Sequence, residues 1–455
     1  MIGENEVVDW LLEKVTANLA GAPTMGDLEK AIDRQSVEVR RKVLERLTQA
    51  AANREIFDCP KCHRLLNVVD HHRKRTVDSA FGEVRFSRRY GCCTSCQEHF
   101  APADGALGLH ERAPASPRVQ EICSLTVLRA PSGTAEEDVR RLTGLHIGAS
   151  TLHREARRQG ERALEIRNAE EQLTQSQEGV SELAARAPTL PKHTTLVLEI
   201  DAWNIRERDN WRKTKAILKA GGELGRWHWV YTGTVFRLDQ RGTTESGRPV
   251  IADRGFVATR RGIESFQRQL YAEALQRGLL AAETVLILAD GAIWIWNLAD
   301  DRFKNAKQRV DLHHVQEHLW NLAAELHGKG TPEAQAWVRP YLQWLEKRTD
   351  GALDVINSLE ELHKNIAEFS KKERAAIAKE MAYFEEHKAR MDYKAGKALG
   401  QPVGSGAIES TCSQYQRRFK LTGQFWSLAG DEAFLALATL HRNGRWNRLF
   451  PHDAR

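Results

Sequence analysis

Residues 194–203 read TTLVLEIDAW. Leu196, Val197, Leu198 and Ile200 form a short, almost unbroken apolar run that ends on a carboxylate, Asp201. A run of this length with β-branched members is the pattern of a strand buried on both faces. The same pattern returns in ETVLILADG (283–291), which is almost wholly apolar and ends at Asp290. Between the two, RWHWVYTGTVFRLD (226–239) and PVIADRGFVAT (249–259) carry alternating and β-branched residues, and IESFQRQLYAEALQRGL (263–279) has helical spacing. AKQRVDLHH (306–314) predicts one more short strand. Three strands, a helix, a strand, a helix and a strand predict an α/β sheet with a mixed start.

Working outward, seven segments are expected. Residues 1–55 read as helices, with Val8, Leu11, Leu12 and Val15 at helical spacing, and 56–105 as a small metal-stapled unit. Residues 106–175 return to helix, and 176–194 read as a linker in which Pro188 and Pro191 disfavour a helix. The sheet core spans 195–311, an all-helical insertion 312–400, and the rest of the core with closing helices 401–455. The whole is a multidomain α/β chain. Hydrophobic residues at 41% and charged residues at 28% fit a soluble protein with real cores. No apolar run of about 18 residues argues for a membrane span. The first residues, MIGENEVVDWLLEKV, lack the basic-then-apolar plan of a signal peptide. The expected location is therefore cytoplasmic. Net charge is +6, a weak pointer to nucleic acid, but Arg and Lys cluster in RKVLER, HHRKR, RFSRRY, HREARRQGER and YQRRFK.

Five of the seven cysteines lie between 59 and 96. Cys59-Pro-Lys-Cys62 and Cys93-Thr-Ser-Cys96 are paired CxxC units, the spacing that lets two knuckles offer four thiolates to one Zn²⁺. A structural zinc ribbon is the expectation, with Cys92 and His63 as substitute ligands; Cys123 and Cys412 read as small apolar side chains. HHRKR and RFSRRY would lie on the ribbon surface, as a nucleic-acid face or as a solvated charged face.

Residues 132–164 have the plan of a helix-turn-helix. Helix EEDVRRL is followed by Gly144, which can take the left-handed conformation of a sharp turn, and Ser150 or Thr151 can cap the next helix. That helix presents His153, Arg154, Arg157 and Arg158, side chains suited to DNA base edges and phosphates.

Three acids stand at element ends: Asp201 and Asp290 after strands, and Glu409 in the first turn of a helix opened by Gly404-Ser405-Gly406. In a ribonuclease-H-type sheet the first and fourth strands are neighbours, so Asp201 and Asp290 would lie side by side, and a helix across that edge could add Glu409. Carboxylates so gathered call for a cation, and Mg²⁺ (or Mn²⁺) held by such acids can drive in-line displacement at phosphorus. The helix after Glu409 carries Arg417, Arg418 and Lys420, which can hold phosphates; Trp426 either stacks on an unpaired base or packs in the core. Asp311 with His314 and His318 reads as a second metal site or as a brace, and Asp311 competes with Asp290 as the second acid.

Taken together these stretches resemble one family: the bacterial insertion-sequence DDE transposases of the ISKra type, in the Mutator-like group. The resemblance rests on TGLHIGASTLHREARRQGE, EIDAW, LADGAIWIWNLA, DLHHVQEHLW, GSGAIES with RRFKLTGQFWS, and ALATLHRNGRWNRLF. It implies a ribonuclease-H-like catalytic core interrupted by the helical insertion, with Asp201, Asp290 and Glu409 as the acids and Asp311 and His314 in a supporting element. It also implies Mg²⁺-dependent cleavage at transposon ends and strand transfer by the freed 3′-hydroxyl. The partners would be double-stranded DNA, at transposon ends and target, and further copies of the chain, as a dimer or higher oligomer in the bacterial nucleoid. Where the family has Asp-Gly, this sequence has Asp201-Ala202, which keeps the acid and adds a methyl group beside it. A domesticated DNA-binding derivative without transposition is the alternative.

Overall fold

The computed structural model describes residues 4–17, 21, 23–109, 113–208, 213–364 and 369–451. The chain divides into two compact units between Gln159 and Gly160. Among the described residues no helix is long and apolar enough to cross a membrane.

The first unit opens with α1 (Glu4–Thr16) and α2 (Met25–Arg54). A capping box starts α2: Thr24 Oγ1 accepts from Asp27 N, and the Asp27 carboxylate accepts from Thr24 N. Three antiparallel strands follow in the order β1 (Asn67–Ser79), β2 (Gly82–Cys93) and β3 (Glu98–Phe100). Residues 67–74 of β1 are exposed, so most of the basic HHRKR run faces solvent. Arg75 and Arg88 do not. Both are buried against Asp104, which accepts from Arg88 Nε and Nη2 at 2.8 and 3.0 Å and pairs with Arg75 Nη1 at 2.5 Å. A buried carboxylate held by two guanidiniums is a structural tie, so these two arginines leave the basic surface.

After α3 (Pro102–Ala106) come α4 (Pro117–Arg129), α5 (Ser132–Thr143) and α6 (Ala149–Leu173), the last crossing the division between units. Gly144 ends α5 at φ +71°, donating its N–H to Arg140 O, as the turn requires. The expected caps Ser150 and Thr151 lie inside α6. A carboxylate from across the turn takes their place, Glu136 Oε2 accepting from Ala149 N at 2.9 Å.

The second unit begins with a correction. Part of the stretch expected to be a linker is α7 (Gln177–Ala184), capped by Ser176 and anchored by Leu183 against Ala272 and Leu275. The elements that follow are β4 (Thr195–Glu207), α8 (Thr214–Lys219), β5 (Arg226–Arg237), the short β6 (Arg241–Thr243) and β7 (Pro249–Ile251), and β8 (Arg254–Thr259). Then come α9 (Ile263–Gln276), β9 (Thr284–Ala289), α10 (Ile293–Arg302) and β10 (Lys307–Val310). Five of these strands form one mixed sheet in the order β10-β9-β4-β5-β8. β4, β5 and β8 are antiparallel neighbours; β4, β9 and β10 are parallel. β4 sits in the middle because it is covered on both sides. Leu196, Leu198 and Ile200 join the large core with Phe266 and Leu270 of α9, while Val197 packs on the other face.

The elements described between 312 and 400 are all helices: α11 (Leu312–His327), α12 (Pro332–Lys347), α13 (Gly351–Lys364), α14 (Lys371–His387) and α15 (Tyr393–Ala398). The far end of this insertion is tied to the sheet by Arg309, wholly buried on β10. Its guanidinium donates to Asp392 at 2.8 and 3.0 Å, to Pro402 O at 2.9 Å and to Gln401 at 3.0 Å. The chain then returns over the Glu199 face of β4 as α16 (Gly406–Phe419) and α17 (Leu428–Arg442).

At the start of α17, Asp431 is fully buried. Burial, then Glu207 and Glu432 beside it, push its carboxyl up to about 9; Arg260 opposes this in part. Because the folded pKa exceeds the unfolded one, the stabilising protonated form is complete below about pH 4 and is lost as pH rises through about 9. The variant D431N mimics that form. Its advantage over the native protein should grow across this window to about 1–3 kcal/mol, the scale of one buried unsatisfied polar group. Thermal unfolding at pH 5 and pH 9 checks it, and equal shifts at both would refute it.

Candidate metal centre and acidic cleft

Cys59 and Cys62 precede β1, Cys93 ends β2, and Cys96 lies in the turn before β3. Their sulfurs all lie within 4.8 Å of one another, the Cys62–Cys93 pair at 3.5 Å and the Cys59–Cys96 pair at 3.9 Å. A disulfide needs about 2.05 Å. A tetrahedral ion with metal–sulfur bonds near 2.3 Å puts its sulfurs about 3.8 Å apart. The two turns match: His63 and Gln97, each following the second cysteine of its pair, have φ +57° and +58°, and their N–H groups return to Cys59 O and Cys93 O at 2.9 Å. Cys96 N also donates to Cys93 Sγ at 3.4 Å. The four cysteines thus fit a structural metal ion such as zinc. Cys92 and His63 fall outside the set, since the turn that brings the four sulfurs inward directs their neighbours elsewhere.

The second site lies where β4 and β9 run parallel. Ile200 pairs with Ala289, the last residue of β9, so Asp201 and Asp290 follow the last β4–β9 pair side by side. Asp290 closes its strand as the sequence predicts, but Asp201 does not: β4 runs on to Glu207 because β5 stays paired with it. Glu409, in the first turn of α16, lines the same cleft of about 250 Å³, together with Asp311, His313, His314, Glu317 and Ser405. Among the described residues five carboxylates line it, with no lysine or arginine. Burial raises the Asp201 pKa, and the Asp290 and Glu409 charges raise it further; the Ala202 N–H, 2.6 Å from Oδ1, opposes them. The three acids are less tightly convergent than the cysteines, which are the one group of metal-type ligands within 4.8 Å among the described residues. The backbone after Asp290 is set by Gly291 at φ +105°, where a Cβ would meet Tyr383 Oη at 3.3 Å and His387 Nε2 at 3.5 Å. Asp290 Oδ1 then accepts from Ala292 N at 3.0 Å.

Asp311 is turned to backbone. It is buried, one oxygen accepts from His313 N at 2.5 Å and His314 N at 3.1 Å, and the other accepts from Ser405 N at 2.5 Å. It therefore caps α11 and fixes the Gly-Ser-Gly bend, which favours the brace over a second metal site. His314 Nδ1 is 3.6 Å from Glu317, and His318 Nδ1 is 2.5 Å from Glu380 with its ring stacked on Tyr383, so these histidines do not converge on Asp311.

In α6, His153, Arg154 and Arg157 are exposed; Arg158 is half-buried and pairs with Glu155 at 2.7 Å. Along α16, Arg417 and Lys420 are exposed. The expectation for Arg418 fails here, and of the two readings of Trp426 the core one holds. Arg418 is buried, its guanidinium 5.2 Å from the Trp426 ring, and burial pulls its pKa down to about 10. Trp426 is only 5% exposed, stacked on Phe419 with Nε1 donating to Phe419 O at 2.9 Å. Helical period decides both: positions 415, 418 and 419 share the inward face of α16, and Trp426 folds back onto it.

Two residues of the site were not read from sequence. Glu199, on the Asp201 face of β4 and 1% exposed, accepts from Ile408 N at 2.9 Å, which fastens the start of α16 to the sheet. Burial, with Asp311 adding to it, pushes its pKa up to about 8. An acid inside an otherwise apolar strand was the available signal. Cys412, read as a small apolar residue, places its Sγ 3.6 Å from Asp201 Oδ2. Among known proteins, no family model and no curated sequence matches the chain.

Proposed function

We propose that this protein is a DNA strand-cutting and strand-joining enzyme, a DDE transposase of the kind its motifs resemble, built on a ribonuclease-H-like core. The observation that carries the reading is the shared cleft. Asp201, Asp290 and Glu409, from elements far apart in the chain, line it, with no lysine or arginine beside them among the described residues. The strand order, three antiparallel strands followed by two parallel ones with the first and fourth adjacent, agrees with such a core.

In this reading Asp201, Asp290 and Glu409 would hold Mg²⁺ or Mn²⁺, which would supply an activated water or 3′-hydroxyl and stabilise the leaving oxygen. The chain's own residues do the positioning. Asp311 and Glu199 hold the bend and helix that carry Glu409. Arg417 and Lys420, both exposed, would meet phosphates, while the exposed His153, Arg154 and Arg157 of α6 would meet duplex DNA. The four-cysteine unit would hold zinc and present the exposed part of the HHRKR strand. Joining two ends calls for at least two copies of the chain, and twofold symmetry is the common solution.

The test combines supercoiled plasmid, a linear donor end and Mg²⁺. Joined products are expected. Nicks alone would mean a nuclease without strand transfer. A band shift with neither product would mean a DNA-binding derivative, and the proposal would fail.

A further inference from the structure

The β4–β5 hairpin continues past the sheet. β9 leaves β4 at Ile200 and β8 leaves β5 at Tyr231, yet β4 and β5 stay paired to Glu207 and Arg226. On this extension Trp227 and Trp229 stand 54% and 55% exposed. They are two residues apart on one strand, so they share a face at about 7 Å spacing. Arg206, opposite Trp227 in the ladder, has its guanidinium 5.7 Å from that ring, and Lys420 Nζ lies 5.4 Å from it.

Flat rings flanked by cations suit one ligand chemistry well: a base stacks on the indole while its phosphate meets the cation. A dry protein interface fits poorly, because the Arg and Lys heads keep the patch wet. Trp229 pairs with Asn204 and Trp227 with Arg206, three and five residues beyond Asp201. At a strand's rise these positions lie about 10 and 17 Å further along β4, on the face opposite the Asp201 side chain, so a strand leaving the cleft would meet the rings by passing around the hairpin.

We propose that Trp227 and Trp229 form a stacking platform for unpaired nucleotides of the strand that enters the cleft. This rests on reading the chain as an enzyme that acts on DNA. Trp426, for which the sequence left base stacking and core packing open, is in the core; the hairpin supplies the exposed rings instead.

The test uses the full chain in EDTA, so that nothing is cut. The probes are a single-stranded oligonucleotide of about twelve residues carrying 2-aminopurine, within the usual range of site sizes, and a blunt duplex of equal length. Binding should quench the 2-aminopurine. W227A and W229A should each weaken single-strand binding by about 5- to 100-fold, the scale of one base–aromatic stack. W227F and W229F should keep most of it, and duplex affinity should not change. Native-like single-strand binding and quenching by the double alanine variant would overturn the platform. So would an altered sedimentation coefficient with single-strand binding intact, which would make the rings an interface between copies. Plasmid nicking in Mg²⁺ is scored separately. Quenching without nicking supports the platform and refutes the enzymatic reading; nicking without quenching does the reverse.

Discussion

D201N, D290N and E409Q are each expected to lower plasmid cutting and joining by about a thousandfold or more, the scale on which single preorganised charges act in phosphoryl transfer. Duplex binding should be unchanged. The same variants should fold at least as stably as the native chain. Asp201 is held with its pKa raised by burial and by the charges of Asp290 and Glu409, so removing one charge relieves repulsion in the absence of a cation. Loss of chemistry with no loss of stability is the signature of a site rather than of a scaffold. Asp311 supplies the contrast. It caps α11 and holds Ser405 N, so D311A should cost about 1–2 kcal/mol of stability, as lost caps do, whatever it does to cutting. Plasmid assays beside thermal melts decide between them. Native-like cutting by D290N would move the second acid away from that position.

Removing the metal from the four-cysteine unit should have the second large effect. One zinc per chain is expected by atomic emission. Its loss to a chelator, or the variant C59S, should unfold the β1–β3 unit, because metal binding in such small units contributes on the order of 10 kcal/mol to folding. The apolar cluster around the sulfurs is too small to compensate: among the described residues it buries Phe57 and Leu66 besides Cys59 and Cys93, while Val77 and Phe86 pack in a separate cluster. Limited proteolysis should then cut within 56–105 while the sheet unit survives. A chelated protein that resists proteolysis there would show that the sulfurs do not need an ion.

Much of this was legible in order along the chain. The buried strands around Leu198 and Leu288, the paired CxxC units and the helices after residue 312 are patterns of local period and spacing and are found as elements; Asp290 closes its strand, whereas β4 runs past Asp201 to Glu207. Less legible were features that depend on which face of an element meets another. The stretch after Gln177 looked like a linker because prolines follow it, yet its first half is a helix with Leu183 in the core. Ser150 looked like a cap, but a carboxylate one helix away was better placed.

By itself, then, the amino-acid order determined most of the strands and helices and the cysteine knuckles, since these follow from side-chain period and short-range spacing. Only the tertiary structure decided which cations and aromatics are offered to solvent. Arg418 and Trp426 went inward, Trp227 and Trp229 outward, and Asp311 was committed to backbone N–H groups. The physical reason is that burial is a property of packed faces. A basic or aromatic residue meets water or the core according to the partner its helix or strand finds, and that partner is distant in sequence.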